Sequence, residues 1–332
     1  MSDPGSLRRG LFFIVGHHRG GTTLLQAMLS SHSRITVPPE TQFFLEFWPR
    51  RHRFAPLSEP QARAAAAAFL CSRDSSARDL GLSPAAILAE LEPAARAPAD
   101  LFVALLRAWA RRRGKPRAGE KSPGHIHCVG LLARLFPEAR FFCCLRDPRA
   151  VVASELSAQW GARSADQIAR RWQRVLAAHR ALERSLAPER YLPVRYETLV
   201  AEPEAVLREI CARLGEDFEP AMLRYHERPE AERGFDVSES WKRATRRPLD
   251  LQRREAWRRE LTPTQIALVE AVVGPEPLDS LGLPPPSQAP PPLALRAAQL
   301  RDRWRWLVEV LSGAARRKRG ARRARAGEGA AG

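Results

Sequence analysis

Residues 11–25 read LFFIVGHHRGGTTLL, and the fold is decided here. Leu11 to Val15 is an unbroken apolar run of strand length closed by Gly16, which predicts a strand buried on both faces. From Thr23 onward Leu24, Leu25, Met28 and Leu29 recur with helical period. Between them, Gly16-His17-His18-Arg19-Gly20-Gly21-Thr22-Thr23 gives glycine, four residues, glycine and two hydroxyl side chains that open the helix. Backbone N–H groups converge in such a turn and the helix N-terminus adds positive potential, so the loop suits a phosphate. A nucleotide triphosphatase places lysine at the next position, with a magnesium-binding hydroxyl after it. Position 22 is threonine and the loop's cation is Arg19. Turnover of magnesium–ATP through this loop is therefore not expected.

The flanking sequence repeats the pattern. Arg140 to Leu145 reads as a second buried strand and Tyr191 to Tyr196 as a third, with a short strand over Ala118 to Ser122. Helices are expected over parts of 60–113 and over 126–136, 149–160 and 165–186, then on to about 273. Strands alternating with helices predict an α/β fold of three layers, P-loop-like, with a central parallel sheet flanked by helices. In such sheets ligands collect at the carboxyl ends of strands. Arg146, just after the second strand, is placed to grip a phosphate with its planar fork, and Ser154 can donate from the next helix. One ligand with two separated phosphate groups would engage both the Arg19–Thr23 loop and the Arg146–Ser154 segment.

Together these residues resemble the sulfotransferases that use 3'-phosphoadenosine 5'-phosphosulfate (PAPS). Phe13 to Leu25 looks like that family's loop for the 5'-phosphosulfate, and Arg140 to Ser154 like its 3'-phosphate segment. Val194 to Leu199 is similar to the segment whose tyrosine, here Tyr196, approaches the adenine. The resemblance covers about residues 10–275 and leans toward the branch of protein-tyrosine sulfotransferases and many bacterial relatives. Arg19 stands where the cytosolic phenol and steroid enzymes carry lysine. Val37-Pro38-Pro39-Glu40-Thr41 resembles that branch's glutamate-base segment, and Glu120-Lys121-Ser122-Pro123 its catalytic-lysine segment. Departures are Gly20, where serine is usual, and a poor match after Trp241; no N-terminal membrane anchor is expected.

The resemblance implies in-line transfer of a sulfuryl group from PAPS to a hydroxyl acceptor of unspecified class. Glu40 would take the acceptor's proton, while Arg19 and Lys121 would hold the bridging and sulfuryl oxygens. Gly20, Gly21, Thr22 and Thr23 would cradle the 5'-phosphate, with Arg146 and Ser154 on the 3'-phosphate and Tyr196 at the base. His125 is the reserve base. No metal is implied, since the histidines and cysteines lack ligand spacing. Two other readings stand beside this one: a nucleotide-dependent kinase with a degenerate P-loop, and a basic nucleic-acid binding protein.

Bulk properties agree with an anionic ligand. The 332 residues carry a net charge of +17 and 44% apolar side chains, a globular composition whose surplus favours polyanions. Only Lys115, Lys121, Lys242 and Lys318 are lysines among 54 basic residues. A lysine kept in so arginine-rich a chain points to a place that needs a compact ammonium. Five cysteines, odd in number and without CxxC spacing, read as reduced thiols, so a cytoplasmic location is expected.

The expected organisation is a disordered N-terminus over 1–10, a catalytic domain over 11–283, a Pro-rich linker over 284–292, an amphipathic helix over 293–312 and a basic disordered tail over 313–332. The helix carries an apolar stripe of Leu293, Ala297, Leu300, Trp304, Leu307 and Leu311. Such a stripe docks on the domain or, with the basic tail, lies on an anionic membrane surface; docking is the expectation. No specific nucleic-acid partner is expected.

Overall fold

A computed structural model of the chain describes residues 10–158, 164–228 and 245–286, and positions 296, 297, 300–302 and 304. These fall into two compact units, Met1–Arg146 with Arg174–Arg254, and Asp147–Gln173 with Glu255–Gly332. The stretch 11–283, expected as one domain, thus contributes to both.

The first unit is built on a five-stranded parallel sheet. Its strands are β1 (Phe12–Gly16), β2 (Ile35–Thr36), β3 (Arg117–Lys121), β4 (Arg140–Leu145) and β5 (Tyr191–Arg195). They lie in the order β2-β3-β1-β4-β5. The four strands read from sequence are present with ends shifted by at most a residue, whereas β2 is too short to show any period.

Side chains alternate across the sheet, and each face meets its own helices. Phe12, Ile14, Phe142, Cys144, Leu192 and Val194 pack with residues of helices Thr22–Ser30 and Pro203–Leu214. On the opposite face Phe13 stacks on Phe141 at 5.3 Å and on Phe102 of helix Pro98–Arg112 at 5.8 Å. Phe136 closes that cluster, 5.9 Å from Phe13. Each fully buried aromatic of this kind stabilises by roughly 1.5–3 kcal/mol. Covering both faces is what allows an all-parallel sheet.

The topology fixes where a ligand can sit. From β1 the chain turns toward β2 and β3; from β4 it turns the other way, to β5. The two connections diverge between neighbouring strands, and that divergence opens a crevice beyond the carboxyl ends of β1 and β4. Gly16 pairs with Cys144 and Leu145 with Arg195, so the phosphate-type loop, Arg146 and Tyr196 leave the sheet at one level.

In the second unit helix Pro148–Leu156 is capped by Asp147, whose carboxylate accepts from the Arg149 N–H at 2.8 Å. It is shorter than expected, and 159–163 lie outside the described residues. Arg149 is 1% exposed and organises the unit. It pairs with Asp147 at 2.8 Å and Glu270 at 2.9 Å, donates to the Pro284 carbonyl at 3.0 Å, and lies 4.2 Å over the Trp257 ring. A buried guanidinium is tolerated only when partnered this fully.

The unit therefore takes in Pro284, expected as the start of a linker. Gly10, expected in a disordered terminus, is likewise part of the first unit and accepts from Arg117 at 2.9 Å. Residues 1–9 and the tail over 313–332 lie outside the described residues.

Candidate active site

The loop after β1 has the geometry its sequence implies. Gly20 N–H donates to the His17 carbonyl at 2.9 Å, closing a tight turn, and helix Thr22–Ser30 begins at once. Thr22 is buried and Thr23 half-buried at its first turn, where backbone N–H groups point back into the loop. Gly21 has φ 98° and Arg19 φ 67°, both left-handed. In arginine this costs about 1 kcal/mol or more, a strain typical of ligand-binding turns. A β-carbon at Gly20 would lie 2.8 Å from the His17 carbonyl oxygen, and one at Gly21 2.7 Å from the Tyr196 ring. The departure at Gly20 thus has a cause, because this turn has no room for a serine.

Arg146 is tied to that loop. One guanidinium nitrogen donates to the Arg19 carbonyl at 3.1 Å, and the group lies 4.2 Å over the Tyr196 ring. Tyr196 is 9% exposed, wedged between Gly21 and Arg146. Its ring thus lies between the loop and the guanidinium. Ser154 is half-buried on helix Pro148–Leu156 in the second unit.

Glu40 and Lys121 meet at the end of β3. Lys121 Nζ donates to Glu40 Oε1 at 2.5 Å; Lys121 is 1% exposed and Glu40 27%. Lys121 pairs with Ile14, two residues before Gly16, so the ammonium emerges beside the loop. Gln42 Nε2 holds the second oxygen of Glu40 at 2.7 Å. Gln26, fully buried, donates to the Pro38 carbonyl at 2.6 Å and fastens the segment leading to Glu40 onto the helix that begins at Thr22.

From sequence, Glu120 figures only as the neighbour of Lys121 and carries no role of its own. It is fully buried beside Lys121 and accepts from Thr41 Oγ1 at 3.0 Å, from the Ser122 hydroxyl and from His125 Nδ1 at 2.9 Å. Burial would push this carboxyl up, but His125 and the three hydrogen bonds outweigh it and hold Glu120 below the usual glutamate range. His125, the reserve base, is fully buried with both ring nitrogens engaged, since the Phe44 N–H donates to Nε2 at 3.3 Å. It has no opening toward a substrate. The available signal was a carboxylate inside a strand, which is unusual enough to ask what it binds.

Among the described residues no three His, Cys, Asp or Glu side chains come together to hold a metal ion. The donor set is instead cationic and N–H-rich, with two positions on one crevice. That fits a ligand carrying separated anionic groups.

The profile of the sulfotransferase family matches residues 12–220, and the chain belongs to that family. It is 26% identical over 256 residues to a protein-tyrosine sulfotransferase of Drosophila melanogaster, covering 74% of this chain and 46% of that protein. It is also 26% identical to nodulation protein NoeE of Sinorhizobium fredii, covering 81% and 65%. The chain thus spans about half to two-thirds of the curated relatives it matches. Among solved structures, the sulfotransferase domain of the Synechococcus PCC 7002 olefin synthase superposes with a TM-score of 0.57 at 26% identity, covering 80% of this chain and 94% of that one. A sulfotransferase domain from the curacin biosynthetic pathway shares the fold, at 20% identity and a TM-score of 0.54.

Proposed function

We propose that this protein transfers the sulfuryl group of PAPS to a hydroxyl acceptor by in-line displacement. PAPS supplies the activated sulfuryl group and a phosphate leaving group. The N–H groups of Gly20 to Thr23, with the Thr22 and Thr23 hydroxyls, hold the 5'-phosphate. Arg146 takes the 3'-phosphate. Arg19 and Lys121 stabilise charge on the bridging and sulfuryl oxygens, and Glu40 accepts the acceptor's proton. Transfer of this kind asks mainly for positioning and charge stabilisation, which fixed cations in a buried crevice supply.

Tyr196 acts as a spacer between the two anion sites. Lys121 has two tasks: it aims Glu40 in the free protein and donates to the sulfuryl oxygens in the loaded one. The observation carrying this reading is that Arg146 bonds the Arg19 carbonyl and stacks on Tyr196, which backs Gly21. Both anion sites thereby lie within reach of one nucleotide.

Calorimetry with adenosine 3',5'-bisphosphate tests the reading. Binding should be tight, weakened at least tenfold by Arg146→Ala, and stronger than binding of ATP with magnesium. Glu40→Gln should lower turnover by about 10²- to 10⁴-fold, the span of general-base contributions, and leave bisphosphate affinity unchanged. Absence of bisphosphate binding, or a preference for magnesium–ATP, would overturn the proposal in favour of a kinase.

A further inference from the structure

The site's two charged partners come from segments far apart in sequence, one at the end of β3 and one in the irregular stretch after β2. Among the described contacts, one buried group reaches both. Glu120 precedes Lys121 in β3 and points the other way, into the protein, as successive strand residues do. Its carboxylate is linked to the Glu40 segment three times. Thr41 Oγ1 donates to it directly. Ser122 donates to it and accepts from the Gln42 N–H at 3.1 Å. His125 donates to it and accepts from the Phe44 N–H at 3.3 Å. These contacts cover three of the four residues after Glu40, and they span Gln42, whose left-handed φ of 48° must be held in place.

We infer that Glu120 and His125 are positioning residues that set the geometry of the Glu40–Lys121 pair through a fixed imidazole tautomer. The chemistry requires the charge. An ionised carboxylate only accepts, so His125 must carry its proton on Nδ1. Nε2 is then an acceptor and can take the Phe44 N–H. An amide at position 120 can turn its NH₂ toward His125 and force the proton to Nε2, where it opposes the Phe44 N–H. Donor would then face donor in a buried place, and the turn carrying Glu40 would have to move. A misplacement of about 1 Å costs on the order of 10²-fold in rate.

This inference rests on the proposed roles of Glu40 and Lys121, and the tests separate the two. Nitrogen-15 NMR of the wild-type protein should show the proton of His125 on Nδ1, with Nε2 as the acceptor of the Phe44 N–H. Glu120→Gln should shift it to Nε2–H and, in its crystal structure, lengthen the Lys121–Glu40 contact from 2.5 Å. Adenosine 3',5'-bisphosphate affinity should stay within about twofold, and release of that product from PAPS with water as acceptor should fall about 10²-fold.

Ser122→Ala keeps the charge and tautomer, so it should fold and lose less activity than Glu120→Gln. It covers the case in which Glu120→Gln does not fold. A wild-type Nε2–H tautomer overturns the inference. So does a folded Glu120→Gln protein with an unmoved contact and unchanged turnover, or a Ser122→Ala protein as impaired as Glu120→Gln. If the wild-type protein neither binds the bisphosphate nor turns over PAPS, the functional proposal fails; the tautomer and contact measurements still decide the positioning claim.

Discussion

Lys115 sends its ammonium to three backbone carbonyls, those of Ser30, His32 and Ile35, at 2.7, 2.8 and 2.9 Å. Three acceptors on one side of a point charge suit the three donors of an ammonium and not a planar guanidinium. Lys121 is a second lysine held in a buried place by a specific partner, Glu40, while Lys242 and Lys318 lie outside the described residues. Lys115→Arg should therefore cost about 1.5–3 kcal/mol, the scale of a lost charge-assisted set of hydrogen bonds. Urea denaturation measures this, and a loss below about 0.5 kcal/mol would show that the carbonyls need only a cation. Glu120 sets a pH limit of the opposite kind. Its folded value lies below the ordinary 4.5, so its contribution is fully present above that pH. It is lost as pH falls from 4.5 through the folded value, because protons then bind the unfolded state first. Stability of the wild-type protein should drop more steeply in this acid range than that of Glu120→Gln, as followed by urea midpoints. Parallel curves would mean that the carboxylate is not held as described.

At the scale of elements, what was legible followed chemistry that leaves a local mark. β1 and β4 are continuous apolar runs because helices cover both their faces, and the Gly16–Thr23 turn announces itself by glycine spacing. β3 is different. Its sequence is RAGEK, and it is a strand because Glu120 and Lys121 are satisfied by partners brought from elsewhere. Thr41 lies 79 residues from Glu120, so no window of sequence contains that contact. Glu40 and Lys121 were recognised by resemblance, but their contact belongs to the tertiary fold. Tyr196 was read as facing the base from its motif, which does not show that Arg146 lies over its ring. The loop itself offers a sharp prediction. Gly20 donates to the same His17 carbonyl that a β-carbon would crowd, so Gly20→Ala must open the turn. Crowding of this kind costs about 1–3 kcal/mol, equivalent to roughly tenfold or more in affinity. Calorimetry with adenosine 3',5'-bisphosphate should record that loss; unchanged affinity would show that the turn yields without disturbing the ligand.

On the scale of the whole chain, the question is how the residues after the Pro-rich stretch join the rest. The sequence predicted attachment through an apolar stripe. The described positions 296, 297, 300–302 and 304 are helical, yet Leu300 and Trp304, four residues apart on that stripe, are each 67% exposed. Leu293, Leu307 and Leu311 lie outside the described residues. Among the described residues, one attachment runs through Asp302, whose carboxylate accepts from Ser164 Oγ at 2.6 Å and from the Asp166 N–H at 2.9 Å. Those groups stand at the start of helix Ala165–Ser185, so a residue distant in sequence satisfies one orphan N–H donor as an N-cap does. The acidic charge also suits the positive end of the helix. The two modes of attachment differ in what mutation should cost. Asp302→Ala should destabilise by about 0.5–2 kcal/mol, the range of a lost cap. The loss should be non-additive with Ser164→Ala because the two share one hydrogen bond. Trp304→Ala should change stability by less than about 0.5 kcal/mol, as exposed positions do, against the roughly 3–5 kcal/mol of a buried tryptophan. Thermal and urea unfolding of the three variants settles the matter: a large loss at Trp304 with none at Asp302 would restore the apolar stripe as the attachment, and the reverse leaves that stripe facing outward.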